Sequence, residues 1–263
     1  MPVCPPYDAS AVAAVRAASG FWADVRVRAE TGSTSSDLVA LARAGAPEGT
    51  VVLADHQTAG RGRLGRTWHA PPGTSIAVSM LFRPASVPVA RWPWLPLLAG
   101  VAVIEALRAE TGVPAGLKWP NDVVVDGLKL AGLLAEVVPE CGGAVVVGVG
   151  LNVTVVRPDL PPTATSLSLC GVADPDRGRV LAAVLASVAH RYEGWCARSG
   201  DPVEARRAYR PHCTTLGSQV LVQLPAGCPL TGRATDVDDD GRLVVRTADG
   251  DRALSIGDVV HVR

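Results

Sequence analysis

Apolar residues fall into short runs and helical spacings along the chain, and they predict strands and helices in mixed order. Runs dominated by valine, leucine and isoleucine predict buried strands over residues 50–54, 75–82 and 144–149. Weaker strand patterns occupy residues 25–29, 117–119, 123–125 and 129–138. The last two are joined by Asp126-Gly127, a dipeptide typical of tight hairpins.

Helical spacing between capping residues and breakers predicts the helices. They are expected over residues 8–19, 38–44, 179–198 and 203–209, with one more inside 92–111. The helix inside 92–111 should begin after Pro96, because proline is poorly tolerated within a helix.

The pattern changes at about Thr214, where short alternating strands replace the longer elements. Turn signals at Asp240-Gly241 and Asp249-Gly250 separate these strands. We therefore divide the chain into a large domain, residues 1–213, and a small β-barrel, residues 214–263, near the lower size limit for independent folding.

Composition indicates a soluble globular protein. The 263 residues are 48% hydrophobic and 19% charged, and the 25 basic residues balance the 25 acidic ones. A dedicated nucleic-acid binder would normally carry a basic excess. Residues 1–6 lack the pattern of an export signal, and the apolar stretch 92–107 is too short and too broken by prolines to span a bilayer. We expect a cytoplasmic protein without membrane contact.

The cysteines give no sign of a metal site. The six cysteines form no C-x-x-C pair and lack the spacing of zinc ligands. Free thiols are therefore expected, and no metal-ligating residues are assigned.

Lysine and asparagine are unusually rare. Only Lys118 and Lys129 are lysines among the 25 basic residues, and the only asparagines are Asn121 and Asn152. A lysine kept in an arginine-rich chain suggests that a compact ammonium is needed there. An ordinary surface position is the alternative for either lysine taken alone.

The loop that follows the strand at 50–54 contains Gly60-Arg61-Gly62-Arg63-Leu64-Gly65-Arg66. It matches the G-x-G-x-x-G dinucleotide pattern and nearly matches the P-loop, but both need a helix to start at the loop. Pro71, Pro72 and Gly73 follow instead, and residues 56–104 contain no acidic residue to bind a ribose. Both interpretations are therefore rejected.

Three arginines within six positions, without nearby carboxylates, predict an anionic ligand. A polyphosphate or adenylate would supply the missing negative charge, and the glycines would let the loop close over it as a mobile lid. A solvated basic surface loop is the alternative.

Three further blocks contain the two lysines and the two asparagines of the chain. They are Lys118-Trp119-Pro120-Asn121-Asp122, Lys129-Leu130-Ala131-Gly132 and Gly148-Val149-Gly150-Leu151-Asn152. Trp68 and Trp119 could line an apolar ligand pocket, although core packing explains each of them equally well.

Together with Gly32-Ser33-Thr34-Ser35 and His56-Gln57-Thr58-Ala59, these blocks resemble the biotin–protein ligase family in order and spacing over residues 30–155. The tail resembles the small SH3-like barrel of that family. The resemblance implies an α+β fold, in which a mixed central β-sheet is flanked by helices, as in class II tRNA synthetases, and is followed by that barrel.

The resemblance also implies residue roles. Biotin would contact Ser33, Thr34, Ser35, Gln57, Gly60, Arg61, Gly62, Arg63, Trp68, Lys129 and Gly132. ATP would contact Arg63, Arg66, Lys118, Asn121, Asp122, Lys129 and Asn152, with Lys129, Lys118, Arg63 and Arg66 as the catalytic residues. Ser35 departs from the family, which usually has asparagine there, so one biotin contact is expected to be lost.

The implied activity is an ATP- and Mg²⁺-dependent activation of biotin, followed by transfer to a lysine of a biotin carboxyl carrier protein. Because about 30 residues precede Ser33, too few for the DNA-binding domain of the regulatory members, we expect no DNA binding and no repressor activity. A monomer or weak homodimer is expected.

Two other functions stay open on the sequence alone. One is a lipoate or related acyl ligase of the same architecture. The other is a non-catalytic protein whose C-terminal barrel binds peptide or RNA, although neutral charge and few aromatic residues in that barrel disfavour RNA stacking.

Overall fold

A computed structural model describes residue 4 and residues 6–224 and 228–262 of the chain. Its helices are α1 (Ala9–Ala18), α2 (Thr34–Arg43), α3 (Trp94–Thr111), α4 (Arg177–Ala197) and α5 (Pro202–Tyr209). The positions examined for an export signal include Met1, Pro2, Val3 and Pro5, which lie outside the described residues. No helix in the described ranges has the length and apolar character needed to cross a membrane.

A seven-stranded mixed sheet forms the centre of the larger part of the molecule. Its strands are β1 (Asp24–Thr31), β2 (Thr50–Gln57), β3 (Ser75–Phe82), β4 (Gly116–Lys118), β5 (Asp122–Val125), β6 (Leu128–Val138) and β7 (Ala144–Asn152). They lie in the order β1-β2-β3-β7-β6-β5-β4, with β1 and β2 parallel and the other neighbours antiparallel. The predicted mixed central sheet is confirmed.

Helices cover both faces of this sheet. On one face α3 packs against α4, and α4 against α1, over a core that includes Val51 and Leu53 of β2. On the other face α2 packs Leu38 against Val52 of β2 and Val146 of β7. Because both of its faces are covered, β3 is buried over its whole length, and its residues are apolar apart from Ser75 and Ser79.

The C-terminal part forms a second, five-stranded antiparallel sheet. Its strands are β8 (Gln219–Gln223), β9 (Leu230–Val237), β10 (Leu243–Thr247), β11 (Gly250–Leu254) and β12 (Asp258–Val262), in the order β11-β10-β9-β8-β12. The antiparallel sheet agrees with the prediction. Closure into a barrel is not observed, because no pairing joins β11 to β12 within the described residues. The boundary at residues 213 and 214 stays a prediction.

Several element boundaries differ from the predictions, and two of these differences matter for the site. Strand β2 continues to Gln57, where it pairs with Thr31 of β1, rather than ending at Ala54. Helix α2 begins at Thr34 rather than Leu38, with Ser33 as its N-cap. These extensions bring Gln57 next to the start of α2. Helix α3 begins at Trp94, so that Pro96 lies in its first turn, where a missing N–H costs nothing.

Candidate active site

A cavity of about 270 Å³ opens between the start of α2, the loop after β2, and strands β5 to β7. Many of the predicted site residues line it, namely Ser33, Thr34, Ser35, Gln57, Arg61, Gly62, Arg63, Arg66, Trp68, Lys118, Asn121, Asp122, Lys129 and Gly132. Gly60 and Asn152 do not line it. Three residues of β12 do, namely Asp258, Val259 and Val260.

Three glycines of the central strands form the floor of the cavity. Gly132 of β6 pairs with Gly150 of β7, and Gly148 lies two residues before Gly150. A methyl group on Gly150 would lie 2.5 Å from the Trp68 ring, and one on Gly148 would lie 2.6 Å from Ser35 Oγ. Since real carbon atoms do not approach so closely, these positions need glycine for the side chains above them to fit.

A group of neutral hydrogen-bonding side chains lies above Gly148. Ser79 of β3 is fully buried, and its Oγ lies 2.8 Å from Thr34 Oγ1 and 3.0 Å from Ser35 Oγ. The side-chain oxygen Oε1 of Gln57 accepts hydrogen bonds from Thr34 N at 2.8 Å and Thr34 Oγ1 at 3.1 Å. With its oxygen engaged, Gln57 presents its amide N–H groups as donors. This end of the cavity suits a neutral polar ligand group.

The loop carrying the arginines is a short hairpin. Trp68 N donates to Gly60 O at 2.8 Å, and Gly62 N donates to Arg66 O at 2.7 Å. Arg61 and Thr67 form an antiparallel β-bridge between them. The turn between them has positive φ at Leu64 and Gly65. The hairpin carries Trp68 back over the glycine floor, which is why an aromatic side chain so close in sequence to the arginines reaches the cavity.

Each arginine of the hairpin has a different partner. Arg61 donates to both carboxylate oxygens of Glu136 on β6, at 2.8 and 3.1 Å. Arg63 Nη1 donates to Asn121 Oδ1 at 3.0 Å, and Arg66 pairs with Asp258 of β12. The sequence-based premise that carboxylates are lacking near these arginines is wrong, because Glu136 and Asp258 are distant only along the chain. Of the three, Arg63 is the one that makes no hydrogen bond to a carboxylate of the described residues.

Electrostatic conditions around Arg63 favour an anion. Burial lowers the pKa of the Arg63 guanidinium from its ordinary value; Asp122 opposes this shift and Arg66 adds to it. A partly desolvated cation beside another cation is stabilised by a negative ligand group.

The two lysines face the same cavity from β4 and β6, the two strands that flank β5. Lys129 Nζ lies 2.6 Å from Asp122 Oδ1 and 5.8 Å from the centroid of the Trp68 ring. Burial lowers the pKa of the Lys118 ammonium; Asp122 opposes this shift, whereas Lys129 and Arg66 reinforce it. Lys118, Lys129, Arg63 and Arg66 therefore form a cationic end of the cavity, with Asp122 partly compensating.

The cavity thus joins two chemically different ends over one glycine floor. Neutral hydroxyl and amide groups lie above Gly148, and the cationic groups lie beyond Gly150 and Gly132. Gly148 and Gly150 are two residues apart on one strand, which corresponds to about 7 Å. An elongated ligand with a neutral polar head and a phosphate-bearing tail matches this arrangement. The alternative, in which the arginines belong to a solvated surface loop, does not explain why the two ends share one cavity.

The sequence matches known families over both parts of the chain. Residues 31–152 match the biotin/lipoate A/B protein ligase family, and residues 215–262 match the biotin protein ligase C-terminal domain. The chain is 46% identical over 253 residues to the biotin–[acetyl-CoA-carboxylase] ligase of Mycobacterium tuberculosis, covering 95% of this chain and 92% of that one. The chain belongs to the biotin protein ligase family.

Other members of the family agree in sequence and fold. The bifunctional ligase/repressor BirA of Bacillus subtilis is 33% identical over 233 residues, which cover 86% of this chain and 70% of BirA. The biotin protein ligase of Aquifex aeolicus, solved in complex with biotin and ATP, superposes with a TM-score of 0.77 at 29% identity, covering 92% of this chain and 99% of that one.

Asn152 lies apart from the other residues assigned from the family resemblance. Its side chain is buried, and its Nδ2 donates to Thr165 O at 2.9 Å, so the amide holds the segment after β7. Gly60 lies at the base of the arginine hairpin, where a side chain would collide with the Trp68 carbonyl. Both residues lie outside the cavity lining and support the segments next to it. Their contacts with biotin and ATP stay predictions.

Sequence reasoning missed Ser79, Glu136 and the residues of β12. Ser79 had a visible signal, since it is the one polar residue inside an otherwise apolar stretch of β3. Glu136 and Asp258 had none, because nothing local marks a carboxylate as the partner of an arginine 75 or 192 positions away.

Proposed function

We propose that this chain uses ATP to convert biotin to biotinyl-5′-AMP and then transfers the biotinyl group to a lysine of a biotin carboxyl carrier protein of the acetyl-CoA carboxylase type. The observation that supports this most strongly is the single cavity that joins a neutral hydrogen-bonding end to a cationic end. A cytoplasmic location and the identity of the carrier belong to the same proposal.

Biotin would occupy the neutral end. Its ureido group both donates and accepts hydrogen bonds, which suits the hydroxyls of Ser33, Thr34 and Ser35 and the amide of Gln57. Its apolar ring and chain would pack against the Trp68 side chain. Ser35 also contacts Ser79, so the serine at this position is part of a hydroxyl cluster rather than simply a truncated asparagine.

ATP would place its phosphates at the cationic end. Arg63, Arg66 and Lys118 would neutralise phosphate charge, and the ion pair of Arg66 with Asp258 would be exchanged for phosphate contacts. Mg²⁺ would arrive bound to ATP, since magnesium is usually held by substrate phosphates with one or two carboxylates. Asp122 offers such a carboxylate in the cavity, next to Asn121.

The first step needs no enzyme nucleophile. A carboxylate oxygen of biotin attacks the α-phosphorus, the bond to the bridging oxygen breaks, and pyrophosphate leaves with the electron pair. Lys129, held by Asp122, would lie beside the reacting carboxylate and phosphate and offset the charge that accumulates there.

The second step transfers the biotinyl group. The neutral ε-amine of the carrier lysine attacks the carbonyl carbon of the mixed anhydride, AMP leaves with the electron pair, and the amine loses a proton. The anhydride is prone to hydrolysis, so the arginine hairpin with Trp68 would serve to exclude water until the carrier arrives.

The decisive experiment is biotin-dependent exchange of labelled pyrophosphate into ATP by the purified protein with Mg²⁺, with lipoate as a parallel substrate. We expect exchange with biotin and none above background with lipoate. Exchange with lipoate alone would keep the chemistry and change the substrate. A folded protein that catalyses exchange with neither acid would contradict the proposal.

Transfer is tested separately with an isolated carrier domain. Biotin should be found by mass spectrometry on one lysine of that domain, and the carrier variant with arginine at that lysine should remain unmodified. Pyrophosphate exchange without biotinyl transfer would support the adenylation step and contradict the proposed carrier.

A further inference from the structure

The C-terminal part of the chain holds the backbone on both sides of Lys118. Strand β4, which carries Lys118, is the last strand of the central sheet, and β5 pairs with only one of its edges. Residues just before β8 cover the other edge. Thr214 donates to Leu117 O from its backbone N at 2.8 Å and from Oγ1 at 3.0 Å.

The contact on the other side of Lys118 is made by a buried side chain. Trp119 N donates to Thr215 Oγ1 at 3.0 Å, and Thr215 is fully buried. The Trp119 ring is held by the same part of the chain, because its Nε1 donates to Gly241 O at 3.1 Å. The hydroxyl of Thr215 is also 3.3 Å from His261 Nε2 on β12.

Lys118 itself lacks such a restraint at its charged end. Within the described residues its ammonium makes no hydrogen bond or ion pair, in contrast to Lys129, which pairs with Asp122. Burial lowers the pKa of the Lys118 ammonium, Asp122 opposes this shift, and repulsion from Lys129 and Arg66 adds to it. The position of the Lys118 side chain therefore depends on the backbone from which it extends.

We propose that Thr215 is a positioning residue for the nucleotide end of the active site, because its hydroxyl fixes the backbone that carries Lys118. The segment just before β8 is then a structural part of the ATP site. This inference rests on the proposed function for its kinetic consequences, but the contact between Thr215 and Trp119 can be tested without activity.

Thr215→Val is the informative variant, since it keeps the shape of the side chain and leaves the buried Trp119 N–H without an acceptor. It should raise the KM for ATP in pyrophosphate exchange by about tenfold, which is less than the roughly hundredfold cost of a 1 Å misplacement. The dissociation constant for biotin, measured without ATP, should stay unchanged. Thr215→Ser retains the hydroxyl and should restore the KM for ATP.

Thr247→Val is the matched control. It removes a threonine hydroxyl from the C-terminal sheet, but that hydroxyl donates to Gly250 O at the hairpin of β10 and β11. We expect it to leave both constants as in the unsubstituted protein. An unchanged KM for ATP in Thr215→Val, or an equal loss of ATP and biotin affinity in that variant, would overturn the proposal.

Hydrogen–deuterium exchange separates the failure of this inference from the failure of the proposed function. The peptide containing residues 117–119 should exchange faster in Thr215→Val than in Thr215→Ser or Thr247→Val, whatever reaction the protein catalyses. If the unsubstituted protein shows no pyrophosphate exchange, the proposed function is wrong. Hydrogen–deuterium exchange alone then decides whether Thr215 positions the backbone of residues 117–119. If residues 117–119 stay equally protected in all variants, the positioning role is wrong.

Discussion

The two lysines of the chain have different surroundings, although their sequence blocks mark both as unusual. Lys129 is neutralised by Asp122 at 2.6 Å and lies over the glycine floor beside Trp68. Lys118 is half-buried, and burial together with Lys129 lowers its pKa. The first lysine is therefore held in place by an ion pair, whereas the second makes no ion pair with the described residues and offers its charge to a ligand.

Lys118 should give the exchange reaction an alkaline limit. Its ammonium is charged below its lowered pKa and neutral above it, so the stabilisation of phosphate is complete at lower pH and is lost as pH rises through that pKa. Lys118→Arg stays charged, and its activity should persist to higher pH. The measurement is the pH dependence of pyrophosphate exchange, compared by shape rather than absolute rate. An identical alkaline limb in the variant would assign the limit to another group.

The hairpin of residues 60–68 is the element on which the site depends most. Its three arginines are attached to three separate elements, through Glu136 of β6, Asn121 beside β5, and Asp258 of β12. None of these contacts is deeply buried. Each one individually contributes little, and together they set the position of Trp68 above the cavity.

Glu136→Gln should loosen the hairpin without touching the ligands directly. The pair of Arg61 and Glu136 is partly exposed, so its loss should cost at most about 1 kcal/mol, or about fivefold faster release of biotinyl-5′-AMP. The half-life of the bound adenylate measures this. Glu140→Gln, which removes the exposed pair with Arg43, is the control. Equal half-lives in the two variants would contradict the role given to Glu136.

The sequence predicted the type and approximate place of the helices and strands well, and their first and last residues less well. Apolar runs predicted β3 from Ser75 to Phe82 as observed, because a strand buried on both faces has a strong local signal. The hairpin turn at Asp126-Gly127 was also correct, since both residues have positive φ. The extension of β2 to Gln57 could not be predicted, because it depends on pairing with β1 rather than on its own residues.

The end of β9 and the turn that follows it contain four aspartates, and this segment joins the C-terminal sheet to the larger part of the molecule. Asp236 accepts from Arg206 at 3.3 Å and from Arg210 Nε at 2.7 Å, and Asp240 accepts from Arg91 at 2.8 Å. Trp94 Nε1 of α3 donates to the backbone carbonyl of Asp239 at 2.8 Å. These contacts fix the sheet to α3 and α5, and hence fix β12 beside the cavity.

Asp236→Asn should weaken this junction. Removing the charge shared by Arg206 and Arg210 should cost about 1 kcal/mol, because the groups are partly exposed, and should lower the Tm by about 2–4 °C. Asp251→Asn removes a pair with Arg246 inside the C-terminal sheet and should change the Tm less, since that pair is more exposed. Differential scanning calorimetry measures both. A larger shift for Asp251→Asn would argue against the junction.

Contacts between distant parts of the chain limited what the sequence could predict about the site. The blocks of the cavity wall are each recognisable locally, and the cavity brings most of them together. The involvement of β12 is not recognisable, because Arg66 and Asp258 are 192 positions apart and both are ordinary surface residue types. For the same reason the C-terminal part was predicted as a separate unit.

The glycine floor constrains how the specificity of this cavity can be changed. Gly132, Gly148 and Gly150 already have no side chain, so no substitution there can enlarge the space for a ligand, and any would shrink it. A chemically expanded biotin analogue could be admitted by shortening side chains that lie over these glycines, such as Trp68 or Ser35. Selection or engineering can therefore only narrow this pocket at the three glycines, whereas shortening the side chains of the hairpin or of α2 that lie over them would widen it.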